Sequence, residues 1–174
     1  SLDELLAAVD LVDVVTPTPV HADIVRAALE AGKDVVCEKP MARTSAEAAE
    51  LIVLAEKLGR KLYPAHVVRW FPQYAAAQAA VAAGELGQLA VMRFTRASAM
   101  PKVPWFADDA ASGGLVMDQM IHDLDQAAWI GGPVDRVFAK EVRRAEGSDD
   151  VRVCHVTMNH SNGAISHCRG LWAV

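Results

Sequence analysis

Short runs of β-branched residues alternate with helix-forming stretches over the first third of the chain. Residues 12–15 and 35–37 form such runs and predict two strands, and residues 61–65 predict a third. Apolar spacing predicts helices over residues 20–31 and 45–58. Strands and helices that alternate with short connections are typical of a parallel sheet, so this part of the chain is predicted to have α/β architecture.

Local signals mark the ends of these predicted helices. Thr44 and Ser45 precede Glu47, an arrangement that resembles a capping box. Gly32 and Gly59 stand where glycine commonly ends a helix.

The pattern changes at about residue 63, and the rest of the chain is predicted to be α+β. The predicted elements are, in order, a helix over 72–83 that ends at Gly84 and Gly87, a strand over 89–98, a loop over 99–114, a helix over 115–130, and strands over 134–143, 150–159 and 164–171. Asn162-Gly163 is a strong hairpin signal between the last two strands. We therefore expect two domains, residues 1–63 and residues 64–174, the second with a mostly antiparallel sheet.

Both ends of the chain resemble interrupted elements. The chain opens on a helix that leads into a buried strand, and it stops at Val174 directly after a strand. Proteins usually cover the unpaired edge that such an ending would leave. We expect the chain to be a piece of a longer protein.

Composition narrows the possible partners and the compartment. Apolar residues make up 52% and charged residues 22%, with a net charge of −5, which is typical of a soluble globular protein without a basic footprint for nucleic acid. The uncharged stretch 70–84 is too short to cross a bilayer, and the acidic start has no signal-peptide character. Three cysteines without a CxxC pattern favour buried, free thiols in a reducing, cytoplasmic setting.

The first candidate site is the segment T-P-T-P-V-H, residues 16–21, between the first strand and the helix after it. Ligands of parallel sheets bind beyond the carboxyl ends of the strands, and free N–H groups at a helix start favour polar or anionic groups. The alternative is a proline-stiffened turn in which Thr18 caps the helix.

The second candidate site is Glu38-Lys39-Pro40, at the end of the second strand. A lysine at this edge of the sheet can act as an acid or base, or can stabilise a developing alkoxide. The alternative is a surface ion pair before a loop. The Lys39-Pro40 bond is a candidate cis peptide, because X–Pro bonds have only a small trans preference.

The third candidate site is the segment D-Q-M-I-H-D-L-D, residues 118–125. Asp118 and His122 are four residues apart, so on an α-helix they share one face, and a carboxylate beside an imidazole orients it as a general base. Asp123 is expected to be solvated and Asp125 to cap or pair locally. The alternative is a structural histidine.

Other sites have weaker support. His155, His160, His167 and Cys168 leave a metal site open, but they lack tight ligand spacing and a carboxylate cluster, so no metal is expected. The sequence contains neither the G-x-G-x-x-G of dinucleotide sites nor the G-x-S-x-G of serine hydrolases.

Taken in order, these segments resemble the Gfo/Idh/MocA oxidoreductases, the glucose–fructose oxidoreductase and inositol dehydrogenase group. The matching text is T-P-T-P-V-H-A-D-I-V, A-G-K-D-V-V-C-E-K-P-M-A, G-G-L-V-M-D-Q-M-I-H-D-L-D and W-I-G-G-P-V, which together span nearly the whole chain. The resemblance implies the second half of a Rossmann-type parallel sheet, followed by an α/β domain with an open, mostly antiparallel sheet.

The resemblance also implies residue roles in an NAD- or NADP-dependent dehydrogenase of sugars, inositols or related polyols. Lys39, Asp118 and His122 would be catalytic, with Lys39 polarising the reacting oxygen and His122 taking the hydroxyl proton. The nicotinamide half of the cofactor would lie along Thr16, Pro17, His21, Glu38, Lys39 and Pro40. The substrate would lie near His66, Arg69 and Trp105.

The sequence departs from the family pattern in two respects. The first β-α-β unit with the glycine loop and the last strands of the family are absent, so this chain is expected to bind the cofactor weakly and to be inactive alone. Met120 stands where the family often has glycine, and we expect it to narrow the pocket. The alternative function is a non-catalytic binding or assembly module, with homo-oligomers formed through the second sheet.

Overall fold

The computed structural model describes residues 1–146 and 149–173 of the chain. The contacts of these residues divide the chain into two units. The first unit comprises Ser1–Ala65 and Ala110–Ser112, and the second comprises His66–Asp109 and Gly113–Val174. Each unit contains its own sheet and its own cluster of buried apolar side chains.

The first unit is a three-stranded parallel sheet with helices. Its elements are α1 (Leu2–Ala8), β1 (Leu11–Val14), a 3₁₀ turn (Thr18–Val20), α2 (His21–Glu30), β2 (Asp34–Glu38), α3 (Ser45–Leu58) and β3 (Leu62–Ala65). The strands are ordered β1-β2-β3, and Val35 of β2 lies opposite both Val12 and Leu62. The predicted parallel α/β arrangement is confirmed. Short apolar runs of this kind are typical of parallel strands that are buried between helices.

The predicted helix boundaries of the first unit are confirmed. The Thr44 side chain accepts a hydrogen bond from the Glu47 N–H at 3.1 Å, and the Glu47 carboxylate accepts one from the Thr44 N–H at 3.0 Å. This reciprocal capping box begins α3. Gly59 ends α3 in the left-handed region with φ 63°, which a residue without Cβ adopts at no steric cost.

The expected helix cap at Thr18 is not formed. Thr18 lies inside the 3₁₀ turn, where it is 3% exposed, and α2 begins at His21 without a side-chain cap. Two prolines flank Thr18 and tighten the segment into a separate turn. The threonine is therefore packed into the unit instead of facing the helix start.

The second unit contains a four-stranded mixed sheet. Its elements are a 3₁₀ turn (Val67–Trp70), α4 (Pro72–Ala82), β4 (Val91–Ala99), α5 (Pro104–Ala107), α6 (Asp109–Ser112, of which residues 110–112 belong to the first unit), a π-helical turn (Val116–Met120), α7 (Ile121–Gly131), β5 (Val134–Glu146), β6 (Asp149–His160) and β7 (Ile165–Ala173). The strand order is β4-β7-β6-β5. The pairs β5–β6 and β6–β7 are antiparallel, whereas β4 and β7 are parallel.

Two details of the second unit qualify the predictions from sequence. The hairpin at Asn162-Gly163 is confirmed, with Gly163 at φ 89° and the Asn162 side chain accepting from the Ala164 N–H at 3.0 Å. The stretch 99–114, predicted as a loop, holds the short helices α5 and α6. In the described part of the chain, no helix is both long and apolar enough to cross a membrane.

Candidate functional site

The carboxyl edge of the first sheet carries the first two candidate segments. Val14 and Cys37 are register partners, so β1 and β2 end at the same level of the sheet. Thr16 and Pro17 follow β1 and are exposed, whereas Lys39 follows β2 and is half-buried. Parallel strands thus bring the two motifs to one edge, the position at which open α/β sheets bind ligands.

The His21 side chain contacts the backbone of both candidate segments, at Thr16 and at Pro40. It is buried, at 1% exposure. Its Nδ1 lies 2.8 Å from the carbonyl oxygen of Pro40, and its Nε2 lies 2.7 Å from that of Thr16. The imidazole therefore fixes the spacing between the two loops, a role that the sequence pattern did not reveal.

Glu38 and Lys39 occupy the end of β2. The Glu38 carboxylate accepts a hydrogen bond from the Lys39 backbone N–H at 3.0 Å, and the Lys39-Pro40 bond is cis. The buried residue before them, Cys37, is protonated well above neutral pH: desolvation, with smaller contributions from the charges of Glu38 and Asp13, raises the pKa of its thiol to about 12.

The carboxyl edge of the first sheet carries polar and charged residues. At this rim Thr16 and Pro17 are exposed, Glu38 and Lys39 are half-buried charged residues, and Pro40 is buried. A buried imidazole holds the rim in shape. Cradling a pyrophosphate takes a glycine-rich loop at a helix start, and the sequence has no G-x-G.

Asp118 and His122 lie in the second unit at the start of α7. Asp118 belongs to the π-helical turn Val116–Met120, and His122 is the second residue of α7. The helix predicted over 115–130 is confirmed, but its first part, Val116–Met120, has π-helical geometry. The i→i+5 hydrogen bonds of that part widen the backbone, a feature that recurs at functional sites.

Asp123 is a buried ion-pair partner, which corrects the expectation that it is solvated. The Arg96 guanidinium donates from Nε to Asp123 Oδ2 at 2.9 Å and from Nη2 to Oδ1 at 2.8 Å. The Asp123 side chain is only 4% exposed. Its hydrogen bonds with Arg96 raise the pKa of that guanidinium, which therefore stays charged.

Asp125 lies beside His66 and Arg69, two of the residues expected near a substrate. Arg69 donates from Nε to Asp125 Oδ2 at 2.7 Å and from Nη2 to Oδ1 at 2.5 Å. His66 Nδ1 lies 3.6 Å from the same carboxylate, and the Arg69 guanidinium lies 5.3 Å from the Trp129 ring centroid. Asp125 thus pairs with a distant turn, not locally as expected, because the turn Val67–Trp70 packs beside α7.

Trp105 and Met120 have different surroundings. Trp105 stacks on Phe106 with ring centroids 3.9 Å apart, and both rings are half-buried. Met120 is fully buried and contacts Gly170 of β7, so the expectation that it narrows a pocket is wrong. Its side chain fills the space between the helix and the sheet.

The alternative metal ligands do not converge. Strand alternation places His155 and His167 on the exposed face of the sheet, whereas His160 and Cys168 are buried on the other face. His160 lies 2.6 Å from Ser166 Oγ and 2.9 Å from the Gly132 carbonyl oxygen. Across residues 1–146 and 149–173, no three His, Cys, Asp or Glu side chains are grouped to hold a metal ion.

Pattern analysis missed three charged side chains of the second unit. Arg96 forms the fork with Asp123, and Arg152 donates to Asp109 at 2.7 Å, with Arg143 paired to the same carboxylate. The alternation along β4 could have placed Arg96 on the face opposite its exposed neighbours. Nothing in the spacing of the sequence pairs it with Asp123.

Comparison with known proteins identifies both halves of the chain. Residues 1–66 match the family described as an oxidoreductase family with an NAD-binding Rossmann fold, and residues 74–174 match the GFO/IDH/MocA C-terminal domain. The chain is similar to an inositol 2-dehydrogenase from Leifsonia xyli, at 33% identity in an alignment that covers 83% of this chain. It is also similar to a 1,5-anhydro-D-fructose reductase from Ensifer adhaerens, at 33% identity over 75% of this chain.

A solved structure supports the same conclusion. The crystal structure of GenD2 from gentamicin A biosynthesis, in complex with NAD, covers 97% of this chain with a TM-score of 0.89 at 27% identity. This chain covers 50% of GenD2, 42% of the inositol dehydrogenase and 40% of the reductase. It therefore spans half of these relatives or less.

Proposed function

The chain belongs to the GFO/IDH/MocA oxidoreductase family, and from this we propose that the protein transfers a hydride between NAD or NADP and a hydroxyl-bearing carbon of a sugar, inositol or related polyol. The observation that carries the proposal is the carboxyl edge of the first sheet, where Lys39 follows a buried strand and His21 joins the two loops. Relatives named as an inositol dehydrogenase and an anhydrofructose reductase support this substrate class.

The first unit holds the nicotinamide half of the cofactor in this proposal. Thr16, Pro17 and Glu38 would contact it, and the buried Pro40 would shape the loop. His21 holds the two loops through the carbonyl oxygens of Thr16 and Pro40. A bound nicotinamide cofactor would supply the hydride acceptor for oxidation of the substrate carbon. Side chains of this chain carry out the proton transfer and the charge stabilisation.

Lys39, Asp118 and His122 accept the substrate's hydroxyl proton or stabilise the charge that develops during the reaction. Oxidation of an alcohol breaks one C–H and one O–H bond, so the hydroxyl proton needs an acceptor. His122 takes that proton as general base, and Asp118 orients the imidazole and stabilises its protonated form. The Lys39 ammonium stabilises the negative charge that develops on the oxygen as a carbonyl forms.

The substrate is held by groups that suit several hydroxyls. His66 and Arg69 offer N–H donors beside Asp125, and Trp105 offers an aromatic face. Aromatic faces and charge-assisted hydrogen bonds are a common combination for binding polar, ring-shaped ligands.

Substitution of the proposed catalytic residues in the complete gene product tests these roles. Lys39→Ala and His122→Ala should each lower kcat for polyol oxidation by about 10²–10⁴-fold, followed as NAD(P)H formation. The controls Lys140→Ala and His155→Ala change exposed side chains of the same types in the second sheet. Wild-type kcat in both test variants would overturn the assigned roles.

Cofactor binding by this chain alone is proposed to be weak, with no turnover. The sequence has no glycine-rich loop for the pyrophosphate, which carries most of the binding energy of a dinucleotide at a helix start. Calorimetric titration of the 174-residue chain with NAD⁺ and NADP⁺ measures the affinity. Submillimolar binding of either would contradict this part of the proposal.

Self-association through the second sheet is also proposed. The edge strand β5 exposes apolar side chains, with Phe138 at 70% and Val142 at 55% exposure, and such edges are usually covered. Light scattering after size exclusion should give a dimer or larger species, which Phe138→Lys should weaken. The control Val20→Lys changes an exposed apolar side chain of the first unit. A strict monomer would contradict it.

A cytoplasmic location is proposed from the thiols. Cys37, Cys154 and Cys168 are all free and buried. Free thiols persist in reducing compartments. Fluorescence microscopy of the tagged gene product, or fractionation, is expected to place it with cytoplasmic markers, and recovery from a membrane or secreted fraction would contradict this.

A further inference from the structure

Two arginine forks hold the first turn of α7 directly after His122. Arg96 of β4 binds both carboxylate oxygens of Asp123, the residue directly after His122. Arg69, in the turn before α4, binds both oxygens of Asp125, three residues after His122. A planar guanidinium that meets a carboxylate through two parallel bonds fixes its direction as well as its distance.

The helix that carries His122 changes its backbone geometry just before that residue. The π-helical turn ends at Met120, and α7 begins at Ile121, directly before His122. The change from i→i+5 to i→i+4 bonding falls at this junction. Side-chain contacts at this junction can therefore influence the rotation of the first α7 turn about the helix axis.

Three of those contacts surround the junction. Met120 packs against Gly170, and the Cys168 thiol donates to the Asp123 carbonyl oxygen at 3.8 Å. The Asp123 carboxylate, nearly fully buried, faces Arg96. Of these three, the fork is the contact that is both charged and directional.

We propose that Arg96 and Asp123 form a positioning pair that sets the direction of the His122 side chain. The proposal rests on the proposed function, in which His122 accepts the hydroxyl proton. Neither Arg96 nor Asp123 is a reacting group. They act through the backbone of α7, because His122 and Asp123 are consecutive and share a peptide unit.

Energetics favour a geometric role for this pair. Desolvating two charges offsets much of their attraction, so a buried pair adds little to stability compared with packed apolar residues. Such a pair gains its effect by specifying one arrangement. Displacing a general base by about 1 Å can lower a rate by roughly 10²-fold.

Arg96→Lys and Asp123→Asn in the complete gene product test the proposal. Lysine keeps the charge but loses the two-point contact, and asparagine keeps the shape of the side chain. Each variant should lower kcat at least about tenfold. The matched control is Arg152→Lys, which removes an equally short contact, with Asp109 at 2.7 Å, in the same unit.

A second measurement separates this proposal from the proposed function. NMR spectra of isotope-labelled histidine, assigned with His122→Gln, report the His122 ring whether or not it is catalytic. Arg96→Lys and Asp123→Asn should shift the His122 signal while those of His155 and His167 stay in place, and Arg152→Lys should leave His122 unchanged.

The outcomes are distinct. An unchanged His122 signal and wild-type kcat in a folded Asp123→Asn variant would overturn the positioning pair. A shifted signal in the two test variants, with wild-type kcat in His122→Ala, would retain the positioning pair and overturn the proposed base. If Arg96→Lys lowers kcat only as much as Arg152→Lys at equal loss of stability, the effect is general destabilisation and the positioning pair is overturned.

Discussion

Gly170 leaves no room for a side chain, because a Cβ atom built there would lie 2.4 Å from Cγ of Met120. Met120 and Gly170 thus form one close contact between the start of α7 and strand β7. Gly170→Ala should lower the free energy of unfolding by about 1–3 kcal/mol, the usual cost of overpacking a core. Urea denaturation of the chain measures this change.

A double-mutant cycle tests whether this contact is the cause. Met120→Ala alone removes buried volume and should cost about 2–5 kcal/mol. In the Met120→Ala background, Gly170→Ala should have little further effect, since the clashing atoms are gone. Additive losses would show that Gly170 is constrained by something other than Met120.

His21→Ala should destabilise the first unit. Both ring nitrogens face backbone carbonyl oxygens, and removing a buried hydrogen-bond partner costs about 1–3 kcal/mol. The control is His155→Ala, an exposed histidine expected to change stability by less than about 0.5 kcal/mol. Equal effects of the two substitutions in chemical denaturation would refute the bridging role.

The buried thiols make stability fall in alkali. Burial, with a smaller contribution from Asp123, raises the pKa of Cys168 to about 12 from 9.0, so the unfolded chain loses this proton at lower pH than the folded chain. Unfolding therefore becomes easier as the pH rises from about 9 toward 12. Below pH 8 both states are protonated, and the thiol contributes no pH dependence.

Comparison with Cys168→Ala isolates this effect from other alkaline groups. Between pH 8 and pH 10, the wild-type chain should lose about 1 kcal/mol more than the variant, in line with roughly 1.4 kcal/mol per unit of pKa difference. Urea denaturation at the two pH values measures the difference. The same loss in both proteins would contradict a raised pKa at Cys168.

Thr44→Ala should lower stability by about 1 kcal/mol, because it removes the oxygen that caps the N-terminus of α3. Its neighbour Ser45 provides a matched control, since it is the first residue of α3 and exposed. Ser45→Ala should be neutral or slightly stabilising, as alanine is the better helix former. Thermal unfolding of the two variants compares them, and equal midpoints would argue against the capping box.

The elements predicted from sequence were those specified by neighbouring residues. The capping box at Thr44 and Glu47, the glycine after α3 and the Asn162-Gly163 turn each depend on a few consecutive residues. Apolar runs likewise located β1, β2 and β3 within one or two residues. The parallel pairing of β4 with β7 was not predicted, because strand patterns do not identify partners far apart in sequence.

The sequence locates the candidate segments by their positions at the ends of strands and helices. It does not identify the side chains that pair with them. The spacing of Asp118 and His122 was interpreted as α-helical, whereas a π-helical turn precedes His122. The sequence predicts that Asp123 is solvated, because on a helix it points roughly a quarter turn away from the face that Asp118 and His122 share. Arg96, far away in sequence, neutralises Asp123 in a buried site.

The sequence by itself determined the family, the parallel sheet of the first unit and the motifs around Lys39 and His122, because these follow from short-range patterns and local backbone preferences. Only the tertiary structure decided how those motifs are held. His21 reaches two loops at once, Met120 is directed into the core, and Asp123 meets Arg96. Such contacts depend on which distant surfaces pack together, and burial then makes each unpaired polar group costly.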